Sequence, residues 1–243
     1  MKIKVYFLIL ILTISSCVSP EKIVYFQNDE IEKIESLKNL NTVLKPDDLL
    51  EITISSADIE ASKPFNKVNS STENQNTYLI SSNGSIDFPV LGEINVFGKT
   101  KKEVKEIIKN KLDPDYIINP VVNIKIKNYS ITILGEVNNP GTFTIPNEQT
   151  TILEAIGLAG DLKISGRREN IKVIRENNNE KKIYTVDIRS NKIFNSPVYY
   201  LQQNDVVYVE PNKAASQSAA VNKNTNLYFS LITLTFTILN FIL

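Results

Sequence analysis

Few side chains in this sequence could do covalent or acid–base chemistry, and their types decide much. The 243 residues include no histidine and a single cysteine, Cys17. Without imidazole, Ser-His-Asp and Cys-His nucleophiles and zinc sites built from Cys and His are excluded. An enzyme would have to run on carboxylates, Lys or Tyr. Two acidic pairs come closest. Asp47 and Asp48 are adjacent but sit in a turn beside Pro46, and Glu136 and Glu154 read as a solvated strand residue and a helix cap, not a glycosidase pair. Arg167, Arg168 and Arg175 form a modest basic cluster that could meet an acidic polymer; the plainer reading is a solvated face. No catalytic residue, no metal ligand and no cofactor is therefore expected. Formal charge is zero, so no nucleic-acid partner is expected either.

The lone thiol has a different use. Lys2 and Lys4 precede an apolar stretch from Val5 to Ile14, followed by the small residues Ser15 and Ser16, which predicts a secretion signal over 1–16. Cys17 comes next, and Ile14-Ser15-Ser16-Cys17 resembles a bacterial lipobox with Ile in the usual Leu place. In such proteins the cysteine is acylated and becomes the mature N-terminus. A single cysteine forms no internal disulfide. Val18, not Asp, follows it, which favours the outer over the inner membrane. Loss of the signal leaves about 227 residues with a charge near −2, enough for one large domain or two small ones.

At the other end, Leu227 to Leu243 is uncharged and apolar, with a polar stripe. Asn226, Ser230, Thr233, Thr237 and Asn240 fall within an arc of roughly 80° on a helix, with Thr235 on the far side. The pattern predicts a transmembrane amphipathic helix over 226–243, with lipid on most of its surface and water or a partner helix on the stripe. Such helices line a pore when several copies assemble. The run reaches about 25 Å, short of a typical ~30 Å hydrocarbon core and better matched to a thin outer membrane. The alternative is a simple anchor whose hydroxyls bond back to their own helix.

Short strands dominate the body, and the fold class expected is α+β. Residues 17–42 read as a lipidated tether. Leu50, Ile52 and Ile54 alternate on a strand. Residues 57–76 read as a long loop, and Asn83-Gly84 as a hairpin turn joining 78–80 to 86–88. Thr100 and Glu103 form a capping box before a helix with Val104, Ile107, Ile108 and Leu112 on one face. Strands are predicted at 121–126 and 130–134. A turn at 138–141 follows, then a helix at 152–159 between Thr151 and Gly160. Further strands are predicted at 171–175, 183–187 and 206–209, with a turn at 177–179. Two units result, 43–128 and 129–212, followed by a small-residue linker at 213–225.

These residues carry a resemblance. Leu44 to Ile52, then Asn83-Gly84-Ser85-Ile86-Asp87-Phe88-Pro89-Val90-Leu91-Gly92-Glu93-Ile94 with Gly98-Lys99-Thr100, and Asn119-Pro120-Val121-Val122 resemble the export domain of the outer-membrane polysaccharide export proteins. Asp47 stands where that family has glycine, so an altered turn is expected there. Leu134 to Phe143, Thr151 to Gly160, Asp187 and Asn204 to Val209 resemble one copy of a soluble ligand-binding β-grasp module, with Asp161 replacing a second glycine.

The resemblance implies a non-enzymatic subunit of a homo-oligomeric ring, often an octamer, that passes capsular polysaccharide or exopolysaccharide across the outer membrane. It implies lipid anchoring through Cys17, soluble domains in the periplasm, and an inner-membrane co-polymerase partner, often a tyrosine autokinase. Asn226, Ser230, Thr233, Thr237 and Asn240 would then face the lumen. A second reading is a membrane-anchored glycan-binding lipoprotein without a pore; a third is a carboxylate-based polysaccharide hydrolase or lyase.

Overall fold

The computed structural model describes residues 20–27, 43–66, 76–177, 180–220 and 225–242. The expected signal over 1–16, the expected acylation site Cys17 and the expected turn residues Asn178 and Asn179 lie outside them.

The first half of the chain carries β1 (Leu49–Ser55), α1 (Ile59–Ser62), β2 (Thr77–Leu79), β3 (Ser85–Phe88), β4 (Gly92–Asn95), α2 (Lys101–Leu112) and β5 (Val121–Ile126). Along β1, Leu50, Ile52 and Ile54 are buried, as the period-two pattern requires. β1 is the centre of a three-stranded antiparallel sheet, between β2 and β5. The predicted capping box starts α2: Thr100 Oγ1 accepts from the Glu103 N–H (3.2 Å), and the Glu103 carboxylate accepts from the Thr100 N–H (2.7 Å). Val104, Ile108 and Leu112, spaced by four, put one face of α2 into the core. Burying each contributes about 1.5–3 kcal/mol.

Two expectations for this half need correction. Asn83-Gly84 makes a tight turn, closed from the Gly84 N–H to the Ser81 carbonyl (2.8 Å), but it joins no hairpin. β2 pairs with β1, and β3 pairs with β4. The Gly84 carbonyl accepts from the N–H groups of both Val96 and Phe97 (2.9 Å each), so the chain after β4 is packed on the turn. Gly84 has φ +83°, and a Cβ there would lie 2.3 Å from that of Phe97. The predicted loop at 57–76 also begins as structure. Asp58 caps α1, and the 3-10 turn Lys63–Phe65 sinks Phe65 into the core.

The second half carries β6 (Ser130–Gly135), β7 (Gly141–Thr144), β8 (Thr150–Thr151), α3 (Ile152–Leu158), β9 (Gly166–Asn177), β10 (Glu180–Val186), β11 (Tyr200–Leu201) and β12 (Val206–Pro211). Five strands form one sheet in the order β10-β9-β12-β6-β7. The last, β12, lies in the middle, parallel to β6 and antiparallel to β9. α3, started by the predicted Thr151–Glu154 capping box, buries Ile152, Ala155 and Ile156. A first hairpin, a crossing helix and a central parallel last strand make the β-grasp arrangement. β7 was not anticipated.

Beyond Pro211 the expected linker is half helix. α4 (Lys213–Ala220) is capped by Asn212, whose Oδ1 accepts from the Ala215 N–H (2.9 Å). α5 (Thr225–Ile242) follows. The transmembrane expectation over 226–243 is corrected here: the helix forms, but among the described residues no helix is long and apolar enough to cross a membrane. Seven of its eighteen residues are Asn, Ser or Thr, and at 1.5 Å per residue it reaches about 27 Å.

Candidate functional site

Apart from Asp47, the candidate acidic and basic residues are engaged within the fold. Asp47 is exposed and Asp48 is buried, so they form no dyad. Asp47 has φ +69°, the left-handed conformation that a glycine would supply, so the expected alteration of the turn does not extend to its backbone. Glu154 caps α3, and Glu136 accepts from the Ser165 hydroxyl. The three arginines do not cluster. Arg175 is buried against Asp205, and Arg167 pairs with Glu169 and Glu210. Arg168 is buried, donating to the Lys163 and Gly166 carbonyls. Among the described residues no group of His, Cys, Asp or Glu is set to hold a metal.

Asp48 has a measurable consequence. Burial pushes its carboxyl from 3.8 up to about 6, against the bond it accepts from the Lys45 N–H. The folded protein then holds this proton more tightly than the unfolded chain. Stability from Asp48 is full below about pH 4 and is lost as pH rises through 6, by roughly 3 kcal/mol at most. Asp187 behaves oppositely. Partial burial works to raise its pKa, but the Arg189 guanidinium outweighs this and holds it below its ordinary value. Its contribution is lost only as pH falls below about 4. Denaturant midpoints should therefore be higher at pH 5 than at pH 7.5, and Asp48→Asn should flatten the difference. An equal slope in the variant would refute the assignment.

The chain around residue 25 is no free tether. The Phe26 and Gln27 N–H groups donate to the Ile188 and Arg189 carbonyls (3.4 and 2.7 Å). Phe26 stacks on Phe194, and the Tyr25 hydroxyl donates to Asp161 (2.6 Å) under the Arg168 guanidinium. Burial first, then the Asp161 bond, raise the Tyr25 phenol to about 12, so it stays a donor. Asp161, the second residue in a glycine's place, has φ +73° and also accepts from the Leu162 N–H.

Of the polar stripe, Ser230, Thr233 and Thr237 have described side chains, all exposed; those of Asn226 and Asn240 lie outside the description. Thr233 donates to the Phe229 and Ser230 carbonyls, and Thr237 to those of Thr233 and Leu234 (2.6–3.1 Å). The described apolar residues of α5, from Tyr228 to Ile238, are also exposed, between 50 and 67 %.

The two halves meet at a clasp that no local sequence pattern signals. Asn128 Oδ1 accepts from the Leu49 N–H (2.9 Å), and its Nδ2 donates to the Asp47 carbonyl (2.8 Å). Its own carbonyl accepts from Gln203 Nε2 (2.9 Å), and Gln203 Oε1 accepts from the Ser130 N–H (2.8 Å). Ile126 packs against both cores. Beside the clasp lies a cleft of about 530 Å³ lined by both halves. Lys101 and Glu148 pair across it at 3.1 Å.

Set against known families, residues 37–127 match the model described as polysaccharide biosynthesis/export protein, and residues 130–186 match the SLBB domain. Among curated proteins, the chain is 28% identical over 146 residues to an EPS I polysaccharide export outer membrane protein EpsA of Ralstonia solanacearum; the match covers 58% of this chain and 38% of that protein. It is 31% identical over 102 residues to the protein of the same name from Ralstonia nicotianae (strain ATCC BAA-1114 / GMI1000), covering 40% and 26%. The matched stretch therefore spans well under half the length of either relative.

Proposed function

We propose that this chain, which belongs to the polysaccharide biosynthesis/export family through an export domain followed by an SLBB domain, is a non-enzymatic subunit of an outer-membrane channel for capsular polysaccharide or exopolysaccharide. Both relatives are named as outer-membrane export proteins. In this reading Cys17 is acylated and the two domains stand in the periplasm. Copies assemble into a ring, octameric in the family pattern, which works with an inner-membrane co-polymerase of the autokinase type.

The observation that carries the reading is where the two ends of the chain join the fold. The segment around Tyr25 and Phe26 docks on the SLBB domain, and Cys17 is three residues before Pro20, a reach of about 11 Å at most. α5 follows the last strand of the same domain. In this reading both attachments belong to one domain, which would stand next to the membrane with the export domain beyond it.

α5 carries a polar stripe along one side and mostly apolar residues elsewhere. Placed side by side in a ring, copies would turn Asn226, Ser230, Thr233, Thr237 and Asn240 to a shared lumen and keep the apolar face outward. The back-bonded threonines equally suit the plainer anchor of a glycan-binding lipoprotein.

Native mass in mild detergent separates the two. The acylated chain should run as a ring of about eight subunits, and a version ending at Asn224 should lose the ring or its membrane insertion. A monomer in both cases would sink the channel and leave the anchored glycan-binding lipoprotein.

A further inference from the structure

We propose that the cleft between the two domains is a binding subsite for an acidic sugar unit, with Lys125 receiving its carboxylate. The proposal takes the polymer's class from the export reading; the cleft itself is argued from its lining.

Three lysines and two glutamates line it. Lys101 is paired with Glu148 at 3.1 Å, and Lys127 with Glu51 at 3.6 Å. Lys125 faces Glu51 in the strand register, but that carboxylate pairs with Lys127, and Lys125 makes no ion pair among the described residues. The cleft thus has one cation in excess, in a partly enclosed space where screening is weaker than in bulk water.

Its remaining lining suits a sugar ring. Ile126 and Pro146, backed by the buried Tyr129 and Ile145, offer an apolar surface for the C–H face of a pyranose. Gln203, also buried, uses one Nε2 hydrogen on the Asn128 carbonyl and keeps its second for a ligand oxygen. At about 530 Å³ the space lies within the ~300–1,000 Å³ of small-molecule sites, room for one or two rings. Because the Asn128–Gln203 clasp already fixes the two walls, binding need not order them, which favours affinity.

The test titrates the full chain, in mild detergent, with digalacturonate and with uncharged maltose by calorimetry. Digalacturonate should bind at least about tenfold more tightly than maltose, and more weakly as salt rises. Lys125→Ala should weaken digalacturonate about tenfold, while Lys181→Ala, on β10 away from the cleft, should leave it unchanged. Equal binding of both sugars, no binding of either, or an unchanged affinity in Lys125→Ala would overturn the subsite. The two readings fail separately: a ring that forms without sugar binding removes the cleft alone, whereas sugar binding by a monomer removes the channel alone.

Discussion

Replacing Asp205 with alanine is expected to destabilise the SLBB domain by about 3–5 kcal/mol, a large part of the ~5–15 kcal/mol that holds a typical domain folded. Arg175 and Asp205 are 4 % and 1 % exposed. The guanidinium meets the carboxylate through Nε (3.0 Å) and Nη2 (2.7 Å), and Nη2 also donates to the Tyr200 carbonyl. The carboxylate accepts from the Gln202 N–H as well. Removing the anion strands a buried cation and two of its donors at once. The loss should appear in urea melts followed by circular dichroism, since the chain has no tryptophan to report. Exchanging both partners together, Arg175→Met with Asp205→Leu, should cost far less, because no charge is then left unpaired. A single variant that loses under 1 kcal/mol would show that water reaches the pair.

Gly135→Ala should be at least as damaging. Gly135 ends β6 at φ +90°, opposite Val209 in the parallel register. An added Cβ would lie 2.0 Å from the Val209 carbonyl oxygen, which is backbone and cannot swing away. β6 and β12 would have to part at the middle of the sheet, giving up the bond from the Glu136 N–H to that same oxygen. A loss of about 4 kcal/mol or more follows from the clash and the left-handed strain together. Gly141→Ala, where nothing lies within 4 Å of the added carbon and φ is ordinary, is the matched comparison and should shift stability by roughly 0.5 kcal/mol or less. Equal melting midpoints for the two variants would contradict the geometry.

What could be read from the sequence was local. Both capping boxes, the buried stripe of α2 and the alternation in β1 depend on neighbours three or four residues apart, or two, and all are present. Partnerships across long separations were not legible. Asn83-Gly84 signals a turn, but nothing near it says that Gly92 to Asn95 would take the edge of β3. The same holds for Tyr25 with Asp161, 136 residues apart, and for the clasp of Asn128 with Gln203. The helix at 213–220 did carry a signal, Asn212 before an alanine-rich run, outweighed by its small polar composition. Asp47 and Asp161 show that a left-handed backbone can outlast the glycine that usually provides it, since Asp adopts that region more readily than most residues.

The position of β12 has a consequence for how the protein is made. The strand that completes the centre of the SLBB sheet is the last one synthesised, and its partners β6 and β9 begin 76 and 40 residues earlier, at Ser130 and Gly166 against Val206. The export domain can close as soon as β5 emerges. The SLBB domain must wait, with the edges of β6 and β9 unsatisfied, until Pro211 has arrived. A chain that emerges N-terminus first thus spends an interval half folded, with unpaired strand edges open to aggregation, and a chaperone would matter most in that interval.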